Sequence, residues 1–309
     1  MSDTTRDCVT SFGEPREAAN DPIYGCIGQH PMIYHKNKVG WLADAQKLNL
    51  APGTSNSVTV AYHDGLQLHA THMITIAVAN SDRQYIVESR QRRGYDRKLP
   101  KKGVILHSVE PGSPTFSQPV LIDGDTDGDF YDDGPVWVPG ERYQNAADNV
   151  TVCIESASAE GFQVSVASGL EIACEFRSVL AVRYLTPALA VSAGERITIT
   201  TVVDNNGIPI DGVSGTVTFP PHLTYVEDSA AMDFGGTIAA ENGALTFTYE
   251  PTEFGNSFEF TYVLEVAPGF TDSASESVTT ALTWSNGSVT STYSVVINPH
   301  LLYLPAVSN

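Results

Sequence analysis

An acidic segment of eleven residues, 123–133, has the residue types and spacing of a metal site. It contains six aspartates, at Asp123, Asp125, Asp127, Asp129, Asp132 and Asp133. The Asp-x-Asp-x-Asp-Gly pattern is that of calcium loops, in which alternating side chains converge on one ion and Gly128 permits a sharp turn. Hard oxygen ligands without histidine or cysteine suit Ca²⁺. We therefore predict a calcium site with a structural role, because no nucleophile or base lies nearby in the sequence.

Two features distinguish this segment from an EF-hand. The twelfth position, where an EF-hand carries a bidentate glutamate, is Gly134, and no amphipathic helix flanks the loop. Asp132, Asp133 or Glu141 would have to complete the calcium shell. The alternative interpretation is a solvated acidic turn that binds no ion tightly.

The chain is strongly acidic, with 36 Asp and Glu against 17 Lys and Arg over 309 residues and a formal net charge of -19. Such a surface argues against nucleic acid and anionic membranes as partners. Arg196 is the only basic residue after Tyr184, whereas eight basic residues lie between Arg83 and Lys102. This asymmetry and the length predict two different domains. No apolar run reaches the roughly 18 residues that a membrane-spanning helix needs.

The four cysteines are typical of an extracellular protein. Cys8 and Cys26 flank a loop rich in Gly, Pro and Asn, while Cys153 and Cys174 lie on or beside strand-like segments. Neither pair has the C-x-x-C spacing of zinc or redox sites. We predict two disulfides, Cys8–Cys26 and Cys153–Cys174, and reduced buried thiols are the alternative. The first residues lack the apolar region of a signal peptide.

Apolar periodicity predicts the framework that must position these residues. Spacing of three and four residues predicts one short helix over 31–42, with a proline at its first position. A period of two predicts strands at 58–62, 73–78, 84–88, 104–107, 150–154 and 162–166, and then at 196–203, 216–219, 245–249, 258–264, 278–284 and 292–296. We therefore predict an all-β fold of two antiparallel β-sandwiches, 51–184 with the acidic loop and 185–309 of immunoglobulin-like type, preceded by region 1–50, which carries the short helix.

Two stretches of the first half have a residue order found in a known family. One is YIVESRQRRGYD from Tyr85 to Asp96, continuing through Leu99-Pro100 to GVILHSV from Gly103 to Val109; the other holds His30-Pro31, Tyr34, Lys36 and VGWL from Val39 to Leu42. Together they resemble the region after the active site in secreted zinc metallopeptidases of the immune inhibitor A and gametolysin kind. The resemblance covers residues 1–168. The second domain, with its turn Asp204-Asn205-Asn206-Gly207, resembles immunoglobulin-like repeats of bacterial surface and secreted proteins.

The resemblance implies a catalytic domain that this sequence lacks. Such peptidases bind zinc through His-Glu-x-x-His, which occurs nowhere in the chain, and a turn containing methionine follows. Met1 resembles that Met-turn, so region 1–50 is expected to be a remnant of the catalytic domain, with Zn²⁺ and a signal peptide belonging to the missing part. His69 and His72 are no substitute, because alternation along a strand would put them on opposite faces. The chain alone is expected to have no catalytic residue.

The remaining charged residues are interpreted as structural. Glu88 and Asp96 could form an acid/base pair, but pairing with Arg90 or Arg93 is the favoured interpretation. The basic cluster at 83–102 is interpreted as a solvated hairpin that partly balances the acidic loop, with an anion site as the alternative.

Two functions fit these observations. The first is the non-catalytic C-terminal portion of a secreted zinc metallopeptidase, in which a calcium-stiffened sandwich packs on its own missing catalytic domain. The second is an extracellular adhesion or carbohydrate-binding module, with a protein or glycan ligand and a structural calcium site. It requires an exposed aromatic row near the acidic loop, and the candidates are Phe130, Tyr131, Trp137 and Tyr143. Both functions place the protein outside the cell, secreted or on the cell surface. The apolar tail, 300–309, is an export or anchoring signal or a last edge strand.

Overall fold

The computed structural model describes residues 31–62, 67–96, 99–113, 118–125, 127, 133–186, 190–233, 235–241 and 243–299. These residues are mainly β-strand, with one helix, α1 (Ile33–Lys38), and two 3₁₀ turns at Asp44–Gln46 and Gly94–Asp96. The predicted all-β class is confirmed. The chain divides into two compact units, 1–177 (unit 1) and 178–309 (unit 2). Among the described residues, no helix has the length and apolar character needed to cross a membrane.

Unit 1 is a sandwich of two sheets. Its strands are β1 (Lys47–Leu50), β2 (Thr54–Ala61), β3 (Met73–Ala77), β4 (Gln84–Arg90), β5 (Gly103–Val109), β6 (Val120–Leu121), β7 (Val136–Trp137), β8 (Arg142–Asn145), β9 (Val150–Ala157) and β10 (Gly161–Ser168). The first sheet has the order β1-β3-β4-β5-β6, with β7 also paired to β5, and the second has the order β2-β10-β9-β8. Only the β1–β3 pair is parallel among these described strands. It departs from the predicted antiparallel pattern because the chain passes from β1 to β3 through β2, in the other sheet.

Strand β4 is buried on both faces. Successive side chains of a strand point to opposite sides, and the Ser89 hydroxyl donates to the Val60 carbonyl of the second sheet at 2.8 Å. On the other side, Ile86 packs against Ile33 and Tyr34 of α1 in a cluster of buried residues. Helix α1 is therefore a third layer that covers the outer face of the first sheet.

The helix is shorter than the predicted span of 31–42. It ends at Lys38, and Gly40 then adopts the left-handed conformation, with φ of 79°, that terminates helices. The chain continues into β1, which pairs with β3 of the first sheet. The described residues of region 1–50 therefore belong to the same compact unit as the sandwich, instead of forming a separate body.

Unit 2 is also built from two sheets. Its strands are β11 (Leu180–Tyr184), β12 (Ala190–Val191), β13 (Arg196–Asn205), β14 (Val213–Thr218), β15 (Leu223–Tyr225), β16 (Ala231–Met232), β17 (Gly236–Glu241), β18 (Ala244–Tyr249), β19 (Ser257–Val266), β20 (Ala274–Trp284) and β21 (Gly287–Ile297). One sheet has the order β11-β13-β19-β15, with β16 beside β19, and the other has the order β12-β21-β20-β14-β18-β17. The core between them includes Phe258, Phe260 and Tyr262, which alternate along β19.

The six strands predicted in this half correspond to β13, β14, β18, β19, β20 and β21. The others were missed because they are short or, like β17, largely exposed and without an apolar alternation. The chain divides between Arg177 and Ser178, whereas the sequence predicted a boundary after Tyr184. Strand β11, placed by the sequence in the first domain, pairs with β13 of unit 2.

A disulfide joins Cys153 of β9 to Cys174, as predicted. Cys174 lies in the irregular segment after β10, and this segment also bonds to the buried Glu155. The amide of Glu175 donates to the Glu155 carboxylate at 3.3 Å, and the amide of Arg177 donates to the Glu155 carbonyl at 3.1 Å. The segment is thus fastened along β9 at consecutive points. The predicted partners Cys8 and Cys26 lie outside the described residues.

Opening the Cys153–Cys174 bond is expected to destabilise unit 1. The bond closes a loop with a sequence separation of 21 residues, for which the loss of unfolded-state entropy contributes about 3 kcal/mol. Urea unfolding of the double variant Cys153→Ala/Cys174→Ala, compared with the parent protein, measures this contribution. A loss below about 1 kcal/mol would show that the contacts of Glu155 hold the segment without the disulfide.

Candidate functional site

The acidic loop is anchored at both ends to one strand. Before the loop, β6 pairs with β5 at His107 and Ser108, and after the loop, β7 pairs with β5 at Val104 and Ile105. The amide of Gly124 also donates to the Gly134 carbonyl at 3.1 Å, which closes the base of the loop. The ends are therefore held by the sheet, whereas the acidic side chains lie beyond it.

Three of the predicted ligands converge. Asp123, Asp125 and Asp127 each offer one carboxylate oxygen, and these oxygens all lie within 4.8 Å of one another. Two oxygens on opposite sides of a calcium ion, each bonded at about 2.4 Å, are about 4.8 Å apart. The three oxygens therefore fit within one calcium coordination sphere, and their chemistry is that of a hard cation site.

Gly134 leaves the space that the carboxylates occupy. A Cβ at this position would lie 2.5 Å from Asp123 Oδ1 and 2.8 Å from the carboxyl carbon of Asp125. Both distances are shorter than real Cβ contacts allow. The glycine that replaces the usual glutamate of an EF-hand therefore lets the loop close over the carboxylates.

The Asp125 carboxyl is under electrostatic stress from its neighbours. The Asp127 amide, 3.4 Å from Asp125 Oδ1, lowers its pKa. A hydrogen bond with the Asp123 carboxyl, partial desolvation and the charges of Asp123 and Asp127 outweigh this effect and raise the pKa of Asp125. Without a cation, Asp125 therefore holds its proton more readily than an ordinary aspartate. A bound divalent ion would relieve the repulsion.

Two other predicted ligands, Asp133 and Glu141, have partners outside this group. Asp133 forms an ion pair with Lys101, with Asp133 Oδ2 3.2 Å from Lys101 Nζ. The Glu141 carboxylate accepts the amide of Val138 at 2.7 Å within a local turn. Asp129 and Asp132 lie outside the described residues. The described part of the site thus supplies three carboxylates.

A second cluster of charged side chains is buried beneath helix α1. Glu88, Arg90, Asp96 and His107 are each at most 5% exposed. Arg90 reaches Glu88 Oε1 and Asp96 Oδ1 through different nitrogens, both at 3.1 Å. His107 Nε2 lies 2.8 Å from Glu88 Oε1. The favoured prediction, pairing of Glu88 and Asp96 with Arg90 or Arg93, is confirmed for Arg90, which bridges both carboxylates.

This cluster also binds the helix. The amide of Ile33, at the first position of α1, donates to Glu88 Oε2 at 2.9 Å. Glu88 thus accepts a backbone N–H on Oε2 and faces His107 on Oε1, while Arg90 lies within hydrogen-bond distance of both oxygens. The stretches that carry the metallopeptidase resemblance come together in this cluster. The Glu-x-Arg, Gly-Tyr-Asp and Gly-Val stretches supply its four charged side chains, and Glu88 among them bonds to α1, which the VGWL stretch follows.

The interpretation of the basic cluster at 83–102 as a solvated hairpin is wrong for two of its arginines. Arg90 is not solvated but 5% exposed. Arg83 also has fixed partners, Glu110 at 2.7 Å and Asp148 at 3.0 Å. The alternation along β4 could have indicated that Arg90 is buried, since Glu88 and Arg90 lie on the same face as Ile86. The partners of Arg83 follow 27 and 65 residues later, so no local pattern could identify them.

The paired histidines do not form a metal site. His69 is exposed, whereas His72 is fully buried, and the His72 Nε2 atom accepts the amide of Gln67 at 2.9 Å. The predicted segregation of the two imidazoles therefore holds.

The predicted exposed aromatic row is not seen among the described residues. Trp137 is 7% exposed, and the Trp137 ring contacts Tyr143 edge-on with centroids 5.7 Å apart. Tyr143 in turn contacts Tyr85 at 5.6 Å. These rings line the interior edge of the sandwich instead of forming an exposed row. Phe130, Tyr131 and Met1 lie outside the described residues.

Comparison with known proteins returns structural likeness only. No protein-family model matches the chain, and no curated protein matches it. Matching solved structures include a chain of a type I cohesin–dockerin complex from Clostridium thermocellum, with 13% identity over 38% of this chain and 98% of that chain at a TM-score of 0.28. A type II cohesin domain from the cellulosome of Acetivibrio cellulolyticus has 15% identity over 38% and 95% of the two chains at a TM-score of 0.27.

The collagen-binding subdomain of the Enterococcus faecalis surface protein ACE is a further match, with 9% identity over 37% of this chain and 94% of that chain at a TM-score of 0.27. Each of these matches covers well under half of this chain at a low TM-score. The fold and the site are therefore argued from the chain's own contacts.

Proposed function

We propose that this chain is a non-catalytic extracellular β-sandwich protein whose first unit carries a structural calcium ion. The observation that carries the proposal is the convergence of Asp123, Asp125 and Asp127 on one small volume, with Gly134 leaving room for their carboxylates. The disulfide between Cys153 and Cys174 supports a location outside the cell, where such bonds persist.

The proposed role of calcium is mechanical. Asp123, Asp125 and Asp127 would bind the ion, and backbone or water oxygens would complete a shell of six to eight. The ion neutralises carboxylates that otherwise repel one another. Because β6 and β7 hold both ends of the loop against β5, fixing the loop also stabilises this end of the first sheet.

Calcium binding is expected to be saturable, with a dissociation constant of roughly 10⁻⁵ to 10⁻³ M, the range from sensor sites to extracellular modules. Isothermal titration of the chelator-treated protein measures it. Asp125→Asn should weaken binding about tenfold or more, because it removes one of three charges at the ion. Asp211→Asn, an exposed aspartate of unit 2, is the matched control and should bind as the parent does. Absence of binding at millimolar calcium would refute the proposal.

We also propose that this chain is part of a larger protein, a secreted zinc metallopeptidase. The support is the order of the quoted motifs together with one structural fact, that their charged residues form a single buried cluster bonded to helix α1. In such a protein, zinc would belong to the catalytic domain. This chain would provide a rigid surface for that domain and a second sandwich beyond it.

The purified 309-residue chain is expected to hydrolyse no peptide bond with or without added zinc. A quenched fluorescent casein assay measures this, with an active metallopeptidase as the positive control. Chelator-sensitive proteolysis would contradict the non-catalytic assignment. Sequencing the transcript upstream of the Met1 codon tests the parent protein separately, because the proposal requires an in-frame His-Glu-x-x-His there.

A second candidate is an extracellular adhesion or carbohydrate-binding module. The observation that favours it is a groove in unit 1, lined by both aromatic and polar side chains, including Tyr143, Arg83 and Asn145. A non-catalytic module of a peptidase and a binding module are compatible roles for the same sandwich. Whether the groove binds a ligand decides if unit 1 is a purely structural unit or a binding module.

A further inference from the structure

A small open groove lies at the edge of unit 1. Its volume is about 240 Å³, and its walls come from β4, β5, β6, β8 and the residues beside them. Strands β6 and β8 are the outer strands of their two sheets. Among the described strands, none covers the gap between them. We propose that this groove binds one neutral sugar ring, such as the terminal hexose of a glycan; this inference rests on the binding-module candidate above and is independent of the calcium site.

The groove has the size for a single ring. Pockets that hold drug-sized ligands begin at roughly 300 Å³, and this groove is smaller. Because it opens at the sandwich edge, a ring inside it can remain linked to further sugars in solvent. A terminal or side-branch sugar therefore fits better than an internal unit of a tightly packed polymer.

The groove is lined by both apolar and polar groups, as the binding of a sugar ring requires. Tyr143, Val120 and Ile122 give apolar surfaces, and Arg83, Glu110 and Asn145 supply polar groups. A pyranose has a face of C–H groups and a rim of hydroxyls. The C–H face packs well on an aromatic ring, and the hydroxyls both donate to carboxylates and accept from guanidinium and amide N–H groups.

The polar groups are held in place before any ligand arrives. Arg83 Nε donates to Glu110 Oε1 at 2.7 Å and its Nη1 donates to Asp148 Oδ2 at 3.0 Å. The Tyr85 hydroxyl donates to the same Asp148 oxygen and accepts from the Asn145 amide at 2.9 Å. Asn145 Oδ1 accepts the backbone amide of Asp148 at 3.0 Å. Such preorganisation reduces the entropy that ligand binding would otherwise cost.

The aromatic surface is held in the same way. The Tyr143 ring contacts Tyr85 at a tilt of 48°, and it also contacts the buried Trp137 edge-on. Burial raises the pKa of Tyr85, and the hydrogen bonds to Asp148 and Tyr143 add to the effect. Tyr85 therefore stays protonated at every physiological pH and keeps its partner Asn145 in one orientation.

The charge of the groove excludes acidic ligands. Arg83 is opposed by two carboxylates, Glu110 and Asp148, at salt-bridge distance. The guanidinium is therefore neutralised, and the local balance is negative. A phosphate, sulfate or uronate would be repelled, whereas a neutral polyhydroxyl ring meets both donors and acceptors. A basic amino-acid side chain is the competing ligand, and the experiment includes it.

The test is a ligand titration followed by protein NMR. The probes are the methyl glycosides of glucose, galactose, mannose and N-acetylglucosamine and, as the competing cation, N-acetyl-lysine amide, each to about 10 mM, which detects dissociation constants near 1 mM. At least one glycoside is expected to shift the amide signals of 83–85, 108–110 and 143–145 in a saturable way. Absence of binding by every glycoside, or binding by the lysine derivative alone, would overturn the proposal.

Three variants locate the ligand. Tyr143→Ala should weaken glycoside binding at least tenfold, whereas Tyr143→Phe, which keeps the ring, should stay within about threefold of the parent. Val120→Arg places a long side chain in the groove from the exposed rim, where Val120 is 42% exposed, and should abolish binding without disturbing the core. Phe176→Ala, an exposed aromatic outside the groove, is the matched control and should have no effect.

Two results separate this proposal from the calcium proposal. Glycoside binding by a protein that binds no calcium would refute the calcium site alone. Calcium binding by a protein that binds no glycoside would refute the groove alone. Equal glycoside affinity in the parent, Tyr143→Ala and Val120→Arg proteins would place the ligand elsewhere and refute the groove.

Discussion

Replacing Arg90 with alanine is expected to lower the free energy of unfolding of unit 1 by about 3–5 kcal/mol. Arg90 is 5% exposed and bridges two buried carboxylates, those of Glu88 and Asp96. Without the guanidinium, both carboxylates stay in a medium that solvates charge poorly. They must then either take up protons or draw water into the core. Either response costs free energy that the surrounding packing cannot recover.

Urea unfolding measured by tryptophan fluorescence tests this expectation, since Trp41 and Trp137 both belong to unit 1. Arg177→Ala is the matched control, because Arg177 pairs with Glu175 at the surface, where the two side chains are 59% and 70% exposed. An exposed pair contributes about 0–1 kcal/mol. A comparable loss in both variants would mean that burial of the Arg90 cluster has no special effect.

The triple variant Glu88→Gln, Arg90→Met and Asp96→Asn separates charge from shape. It removes every charge of the bridge while keeping similar volumes, and such replacements of buried ion pairs are often neutral. We expect it to be more stable than Arg90→Ala alone. Hydrogen exchange at the Ile33 amide should meanwhile accelerate in Arg90→Ala, because the Glu88 carboxylate that accepts this N–H at 2.9 Å loses the arginine that helps to hold it in place.

Gly134→Ala is expected to abolish the stabilisation of unit 1 by calcium while leaving the calcium-free protein nearly unchanged. The added methyl would lie 2.5 Å from Asp123 Oδ1 and 2.8 Å from the Asp125 carboxyl carbon. The carboxylates can rotate away at little cost in the absence of the ion, but they can then no longer converge. At calcium 1,000-fold above the dissociation constant, the stabilisation lost is about 4 kcal/mol.

Urea midpoints with calcium and with chelator measure this loss for parent and variant. Gly269→Ala is the control for adding a methyl group, because a Cβ there would meet no atom within 4 Å. This control should retain the full calcium effect. If Gly134→Ala were stabilised by calcium as strongly as the parent, the ion would have to bind somewhere other than among Asp123, Asp125 and Asp127.

The sequence predicted those features that depend on neighbouring residues. The period of two predicted β4, β5, β9, β10 and the long strands of unit 2, because successive side chains of a strand point to opposite sides. The spacing of Asp123, Asp125 and Asp127 predicted that their carboxylates converge, because alternating side chains of such a loop point toward one ion. Strand-like sequence at Cys153 with a cysteine 21 residues later also predicted the disulfide.

The tertiary structure decided everything that depends on residues distant in the sequence. Arg90 was interpreted as a solvated residue because its own neighbours are charged, but helix α1 covers the face on which it lies. The groove of Arg83, Tyr85 and Tyr143 forms only where the outer strands of two sheets come together. Local spacing determines which way a side chain points, but the packing of distant elements determines what it meets and whether water remains. The convergence of the three loop carboxylates and the pairing of Glu88 and Asp96 with an arginine were therefore predictable from the sequence, whereas the burial of that charge cluster and the groove were not.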